Sequence, residues 1–173
     1  MIHGKLFIDF DGVLVNFDKG CIKLIGHSLD NVKFQELPPS EKTRVFETKL
    51  DTVDFWAHLE PMPDFNTLWG YIKYFQPNAL TAYPTWGRHS MDVAKKGKWQ
   101  WAKQHLGMPE ARFHCVARQN KKNYAVIGGH KNVLIDDHQR NIDEFNEAGG
   151  HGILHTSAVS TIVQLKMLGF VKS

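Results

Sequence analysis

Two carboxylates one residue apart, Asp9 and Asp11, stand directly after the apolar run Leu6-Phe7-Ile8, and Gly12 follows them. A short apolar run that stops at acids reads as a buried strand with both acids at its C-terminal end. A carboxylate there needs an ion pair, hydrogen bonds or a cation. In an open parallel sheet the carboxyl ends of the strands are also where ligands bind. Two acids in that place can serve as nucleophile and general acid/base, or as hard oxygen ligands for a divalent cation. A calcium-binding loop is a poor match. It requires further oxygen ligands at alternating positions and a Glu near its end, whereas Val13-Leu14-Val15 follow here. A plain Asp-Gly turn is the competing reading of these residues taken by themselves.

Three more groups fall just after apolar, strand-like segments: Thr81 in Ala79-Leu80-Thr81-Ala82, Lys121-Lys122 beyond residues 113–117, and Asp136-Asp137 after Val133-Leu134-Ile135. Each has a bland reading by itself. Asp136-Asp137 suits a helix N-cap pair, Thr81 an ordinary strand position, and the two lysines solvated charge. Trp99 and Trp101 read as packing groups of a helix. The order of the groups carries the functional reading. Attack of a carboxylate on a phosphate dianion meets like-charge repulsion, which a Mg²⁺ held by a few hard oxygens removes. Asp9 and Asp136 suit two of those ligand positions, with the backbone carbonyl of Asp11 a third. Lys121 and the Thr81 hydroxyl suit the phosphate, and Asp11 suits proton transfer.

The elements that must position these residues alternate along the chain. Helices are expected over Phe17 to Gly26, from Pro38-Pro39 with Ser40 as N-cap, from Asp64 as cap through Phe75, over residues 89–106, over Asn141 to Ala148 and over Ala158 to Leu168. Strands are expected at Leu6–Ile8, 79–82, 113–117, 133–135 and 152–154. The alternation predicts an α/β fold: a Rossmann-like parallel sheet with helices on both faces. Gly128-Gly129-His130-Lys131 reads as an insertion before the fourth strand.

The 173 residues suffice for a single domain spanning 1–173 with a real core. A hydrophobic share of 42% and a charged share of 23% are those of a soluble globular protein. No apolar run approaches the ~20 residues of a membrane span. The first residues lead directly into the first strand, so no secretory signal is expected. Cys21 and Cys115 form no disulfide framework or zinc spacing, and a cytoplasmic location is expected. The net charge of +3 suits an anionic small molecule. Its basic clusters are too short for a nucleic-acid tail, which argues against nucleic acid as a partner. A homodimer is left open.

The order Asp-x-Asp, Thr, Lys, Asp-Asp resembles the four motifs of the haloacid dehalogenase-like hydrolases over nearly the whole chain. Within them the sequence is similar to the 5'(3')-deoxyribonucleotidases and their phage and bacterial relatives. The likeness rests on Asp-Gly-Val-Leu-Val-Asn-Phe-Asp at 11–18, Leu-Glu-Pro-Met-Pro at 59–63, Lys-Trp-Gln-Trp-Ala-Lys-Gln-His-Leu-Gly at 98–107 and Leu-Ile-Asp-Asp-His at 134–138. The resemblance implies Asp9 as nucleophile, Asp11 as acid/base, and Asp9, Asp11 and Asp136 as Mg²⁺ ligands supported by Gly12 and Asp137. It implies phosphate or substrate binding by Thr81, Arg118 and Lys121 or Lys122, with Lys121 favoured. It further implies a small helical cap inserted at about 17–60 and a nucleobase stacked on Phe17. The expected activity is Mg²⁺-dependent hydrolysis of nucleoside 5'-monophosphates through an aspartyl-phosphate. The alternatives are a phosphatase for another small phosphomonoester or for nucleic-acid 3'-phosphate ends. Two departures stand out. Thr81-Ala82 replaces the usual Thr/Ser-Ser, and in Arg118-Gln119-Asn120-Lys121-Lys122 the first lysine comes one residue later than in the usual Arg-Asp-Lys, so either lysine suits the motif position.

Overall fold

The computed structural model describes residues 4–87 and 89–172. In chain order the elements are β1 (Leu6–Ile8), α1 (Phe17–Ile25), α2 (Val32–Gln35), α3 (Pro39–Val45), a π-helical turn (Phe46–Leu50), α4 (Val53–Ala57), α5 (Phe65–Ile72) and β2 (Asn78–Ala82). After them come α6 (Ser90–Leu106), β3 (Phe113–Val116), a 3₁₀ helix (Arg118–Tyr124), β4 (Val126–Ile127), β5 (His130–Lys131), β6 (Val133–Asp136), α7 (Gln139–Glu147), β7 (His151–Leu154) and α8 (Ala158–Met167). The chain forms two compact units. One holds residues 4–15, 61–82 and 114–172, and the other residues 16–60 and 83–113.

The first unit is built on a five-stranded sheet of order β3-β2-β1-β6-β7, with β1 paired in parallel to both β2 and β6, and β6 in parallel to β7. All residues of β1 and β6 are buried, as strands covered on both faces must be, and this is why they read as unbroken apolar runs. The chain leaves β1 toward β2 on one side and steps from β6 to β7 on the other. Right-handed crossovers in opposite directions put α5 and α7 on opposite faces. Helix α8 packs on α5, and α7 packs on β6 and β7. Phe7, Leu80, Leu134 and Phe145 form one closed core cluster with Ala125, edged by Val116 and Tyr124. The direction of winding reverses between β1 and β6, so the crevice at their carboxyl ends is the natural ligand site.

Local details correct two expectations and give a third its form. Helix α3 starts after Pro38 as N-cap, with no side-chain cap bond; Ser40 is the second helical residue, because Pro39 at the first helical position already presets the backbone. Asp64 does stand at the N-cap of α5, but its carboxylate accepts from the Ala158 backbone N–H at 2.6 Å and so caps the start of α8 instead. The Gly128-Gly129 insertion is the tip of an antiparallel hairpin, β4 and β5, with Val126 opposite Lys131. The remaining helices and the five sheet strands lie within a few residues of their expected positions.

The second unit is helical. Here α1 to α4 and the π-helical turn accompany α6, which ends at Gly107 as expected. Trp101 is buried in α6 and donates its indole N–H to the Leu59 carbonyl at 2.8 Å. Lys19 and Lys23 of α1 both pair with Glu60. Helices α4 and α6 meet at Gly97, where a Cβ would lie 2.4 Å from the Trp56 Cβ and 2.6 Å from the Val53 carbonyl oxygen. Among the described residues no helix is long and apolar enough to cross a membrane.

That close approach sets a prediction. Gly97→Ala gains about 1 kcal/mol of helix propensity, but forcing a methyl against backbone costs roughly 1–3 kcal/mol. The variant should be less stable, with a lower urea midpoint at an unchanged slope. A midpoint equal to or above the wild-type value would show that α4 and α6 can part at no cost.

Candidate active site

Asp9 and Asp136 are brought side by side by strand register. Ile8 pairs with Ile135, and Asp9 extends the ladder by donating its N–H to the Ile135 carbonyl at 2.9 Å. The chain then turns sharply: the Phe10 carbonyl accepts from the N–H groups of Val13, Leu14 and Val15. Gly12 has φ +75°, and a Cβ on it would sit 2.0 Å from Oδ2 of Asp137. Glycine is therefore needed twice, for the backbone and for the room Asp137 occupies. Asp9, Asp136 and Asp137 offer oxygens that all lie within 4.8 Å of one another.

One ammonium sits among them. Lys121 Nζ lies 2.9 Å from Asp9 Oδ2 and 2.7 Å from Asp136 Oδ2, and its side chain is 2% exposed. Burial alone would lower its pKa, but the two carboxylates overcome this and hold it above the usual lysine value. Asp136 is pushed upward by burial and by the Asp9 charge, which together outweigh Lys121. Burial and the Asp9 charge likewise raise Asp137 to about 6.

Asp136 is the most heavily held of the three. Its Oδ1 accepts from the His138 backbone N–H and from Asn141 Nδ2, both at 2.9 Å. Its Oδ2 accepts from Lys121 and from the same Asn141 nitrogen at 3.0 Å. By contrast, Oδ1 of Asp9 and Oδ1 of Asp137 are buried and accept no hydrogen bond. Two buried carboxylate oxygens with open lone pairs beside a third carboxylate are a donor set that fits a hard divalent cation such as Mg²⁺.

A cavity of about 210 Å³ opens here, lined by Asp9, Asp11, Ala82, Arg118, Lys121, His138, Arg140 and Asn141. Asp11 thus shares the cavity with Asp9, and Thr81 is fully buried one residue before Ala82. Lys122 does not join. It is exposed and lines a separate depression with Asn123, Glu144 and Glu147. Residues three apart on a 3₁₀ helix share a face, which turns Arg118 and Lys121 inward together and Lys122 away. Arg118 reaches the cavity, and its guanidinium is anchored on α7. It donates to both oxygens of Glu144 at 3.0 and 3.1 Å and to Asn141 Oδ1 at 3.0 Å. These three donations engage three of its five N–H groups, so the residue expected at the substrate also holds Asn141. Asp137, expected as a supporting residue, stands in the carboxylate cluster itself. Asn141 escaped the sequence reading, although an Asn in the first turn of the helix that follows Asp136-Asp137 was the available signal.

Phe17 belongs to the helical unit. Its ring is stacked on Trp56 at 5.3 Å and 10°, edge-on to Phe55, and parallel to Trp86 at 6.4 Å and 23°. Trp86 stacks in turn on Phe46 at 3.9 Å. The indole nitrogens of Trp56 and Trp86 are buried and donate to no acceptor.

The raised Asp137 carboxyl has a thermodynamic consequence. An acid whose folded-state pKa exceeds its unfolded value near 3.8 binds protons more readily when folded. Its penalty on stability is therefore full above pH 6 and is relieved as pH falls through about 6. In EDTA, the melting temperature of wild type minus that of Asp137→Asn should rise between pH 7.5 and pH 5. Parallel melting curves for the two proteins across that range would remove Asp137 from the cluster's charge balance.

No family model and no curated protein matches the chain. Solved structures do. A haloacid dehalogenase-like family hydrolase from Streptococcus pneumoniae is 12% identical over 98% of this chain and 99% of its own, with a TM-score of 0.53. A HAD family enzyme from Bacteroides thetaiotaomicron, in complex with magnesium and inorganic phosphate, is 16% identical over 90% of this chain and 96% of its own, with a TM-score of 0.46. At the first of these likenesses the chain has the fold of the haloacid dehalogenase-like hydrolases.

Proposed function

We propose that the protein is a Mg²⁺-dependent phosphomonoesterase that acts on nucleoside 5'-monophosphates. The observation that carries the reading is the buried Asp9–Lys121–Asp136 cluster at the reversal point of the sheet, with Asp11 on the same cavity. Asp9 attacks phosphorus, and the bond to the leaving oxygen breaks as Asp11 protonates it. Asp11 then removes a proton from the water that cleaves the aspartyl-phosphate. Lys121 and the Thr81 hydroxyl hold the phosphate. Asp9, Asp136, Asp137 and the Asp11 carbonyl are the candidate holders of Mg²⁺, which when bound offsets the repulsion between carboxylate and phosphate.

The nucleotide part of the proposal rests on the aromatic cluster around Phe17. Parallel rings with two unused buried indole N–H donors suit a flat base that carries acceptor atoms. A second reading, a substrate with a further anionic group such as a 3'-phosphate end of a nucleic acid, is favoured by one feature. Arg140 and His138 line the same cavity with about three quarters of each side chain exposed. Phosphate release from nucleoside monophosphates, sugar phosphates and a 3'-phosphorylated oligonucleotide, with Mg²⁺ and with EDTA, tests both readings. Release in EDTA equal to that in Mg²⁺ would end the metal assignment.

Asp9→Asn keeps the shape and removes the attacking charge. Turnover should fall by several orders of magnitude, while the metal-free melting temperature should hold or rise because a crowded carboxylate is neutralised. Near-normal turnover would overturn the nucleophile. Base stacking on an aromatic side chain is worth ~1–3 kcal/mol, so Phe17→Ala should lower kcat/KM for a nucleoside monophosphate by roughly ten- to a hundredfold. A phosphate ester without a base should lose much less. Equal losses for both substrates would leave Phe17 as a packing residue only.

A further inference from the structure

Asn141 holds Asp136 by both of its carboxylate oxygens. Its Nδ2 is nearly equidistant from the two carboxylate oxygens, at 2.9 and 3.0 Å. It therefore fills the open mouth between them. The amide cannot turn over, because Arg118 donates to Oδ1 at 3.0 Å, and Arg118 is fixed in turn by both oxygens of Glu144. Glu144 is tethered once more by Arg140 Nε at 2.9 Å. Asn141 and Asp136 are both buried, so water does not replace the clasp.

The mouth of a carboxylate is where a large cation chelates with both oxygens. Ca²⁺ takes six to eight oxygens and accepts bidentate carboxylates readily, whereas Mg²⁺ demands a compact octahedron at ~2.0–2.1 Å. With the mouth closed, Asp136 can offer a cation one oxygen only. Of its partners, only Lys121 is carried on a long flexible stem; the His138 N–H belongs to the backbone and Asn141 is clamped. We infer that Asn141, oriented by Arg118, is a positioning residue that makes the site selective for a small octahedral cation against Ca²⁺. The inference rests on the proposed cation site at Asp9, Asp136 and Asp137.

The test is direct binding of MgCl₂ and CaCl₂ to the purified chain by calorimetry, for wild type, Asn141→Ala and Arg118→Lys. Asn141→Ala opens the mouth. Arg118→Lys keeps the charge beside Glu144 but loses the planar fork that fixes the amide, and it serves if the alanine variant does not fold. The ratio of Ca²⁺ to Mg²⁺ affinity should rise about tenfold in Asn141→Ala, the lower end of what partners behind metal ligands contribute. It should rise less in Arg118→Lys. A folded Asn141→Ala variant, or in its absence a folded Arg118→Lys variant, with the wild-type ratio would overturn the inference and leave the cation site standing. Wild-type protein that binds neither cation would overturn both.

Discussion

Three carboxylates share one buried ammonium at the carboxyl ends of β1 and β6, and the placing of Gly12, Lys121, His138 and Asn141 answers to that imbalance. Oxygens of Asp9, Asp136 and Asp137 within 4.8 Å repel one another by roughly 3–4 kcal/mol per charged pair at an effective dielectric near 20. Lys121 contacts two of the three. Such a cluster is weak as a source of stability, since apolar residues of the same volume would do as well or better. Its presence at the reversal point of a parallel sheet is understandable as a site kept short of positive charge. The raised Asp137 carboxyl and the unbonded oxygens of Asp9 and Asp137 are two signs of the same deficit.

The strand-terminal acids were legible because β1 and β6 are buried on both faces. A strand of that kind shows no alternation, so an acid at its end stands out against an unbroken apolar run. Register did the rest, since pairing Ile8 with Ile135 fixes Asp9 beside Asp136 without further information. The sequence could not show what depends on close approach. Gly12 reads as a turn residue, and only the position of Asp137 explains why a methyl there is excluded. The resemblance makes Arg118 a substrate cation, and nothing in the order of residues says that Glu144, one turn into α7 from Asn141, also takes two of its donors.

The helical unit was legible in outline and not in detail. Its long helix α6 announces itself by length and by Gly107, whereas the 39–57 region breaks into α3, a π-helical turn and α4. Short helices are governed by tertiary packing more than by propensity, which is why the Ser40 cap failed beside Pro39. Trp86 shows the same limit. It lies between Pro84 and Gly87 in what reads as a plain loop, yet it stacks on Phe46 and lies parallel to Phe17 and Trp56. Aromatic contacts made from a loop carry no periodicity and leave no trace in the pattern.

Arg118 and Lys121 bring these strands of argument together. They share one face of one 3₁₀ helix, and both act on Asp136, yet their chemistry differs. The guanidinium is a rigid planar fork with donors in fixed directions, suited to holding Glu144 and the Asn141 amide in one arrangement. The ammonium is a point charge on a flexible stem with three rotatable donors. It can bridge Asp9 and Asp136 and still redirect a donor to a third anion entering the cavity. Exchanging the two residues would reverse these properties: the clasp on Asp136 would loosen, and the bridging charge would become too rigid and too large for a space lined by Asp9 and Asp11. The extra residue between Arg118 and Lys121, compared with an Arg-Asp-Lys spacing, is what places them one full 3₁₀ turn apart and so on the same face.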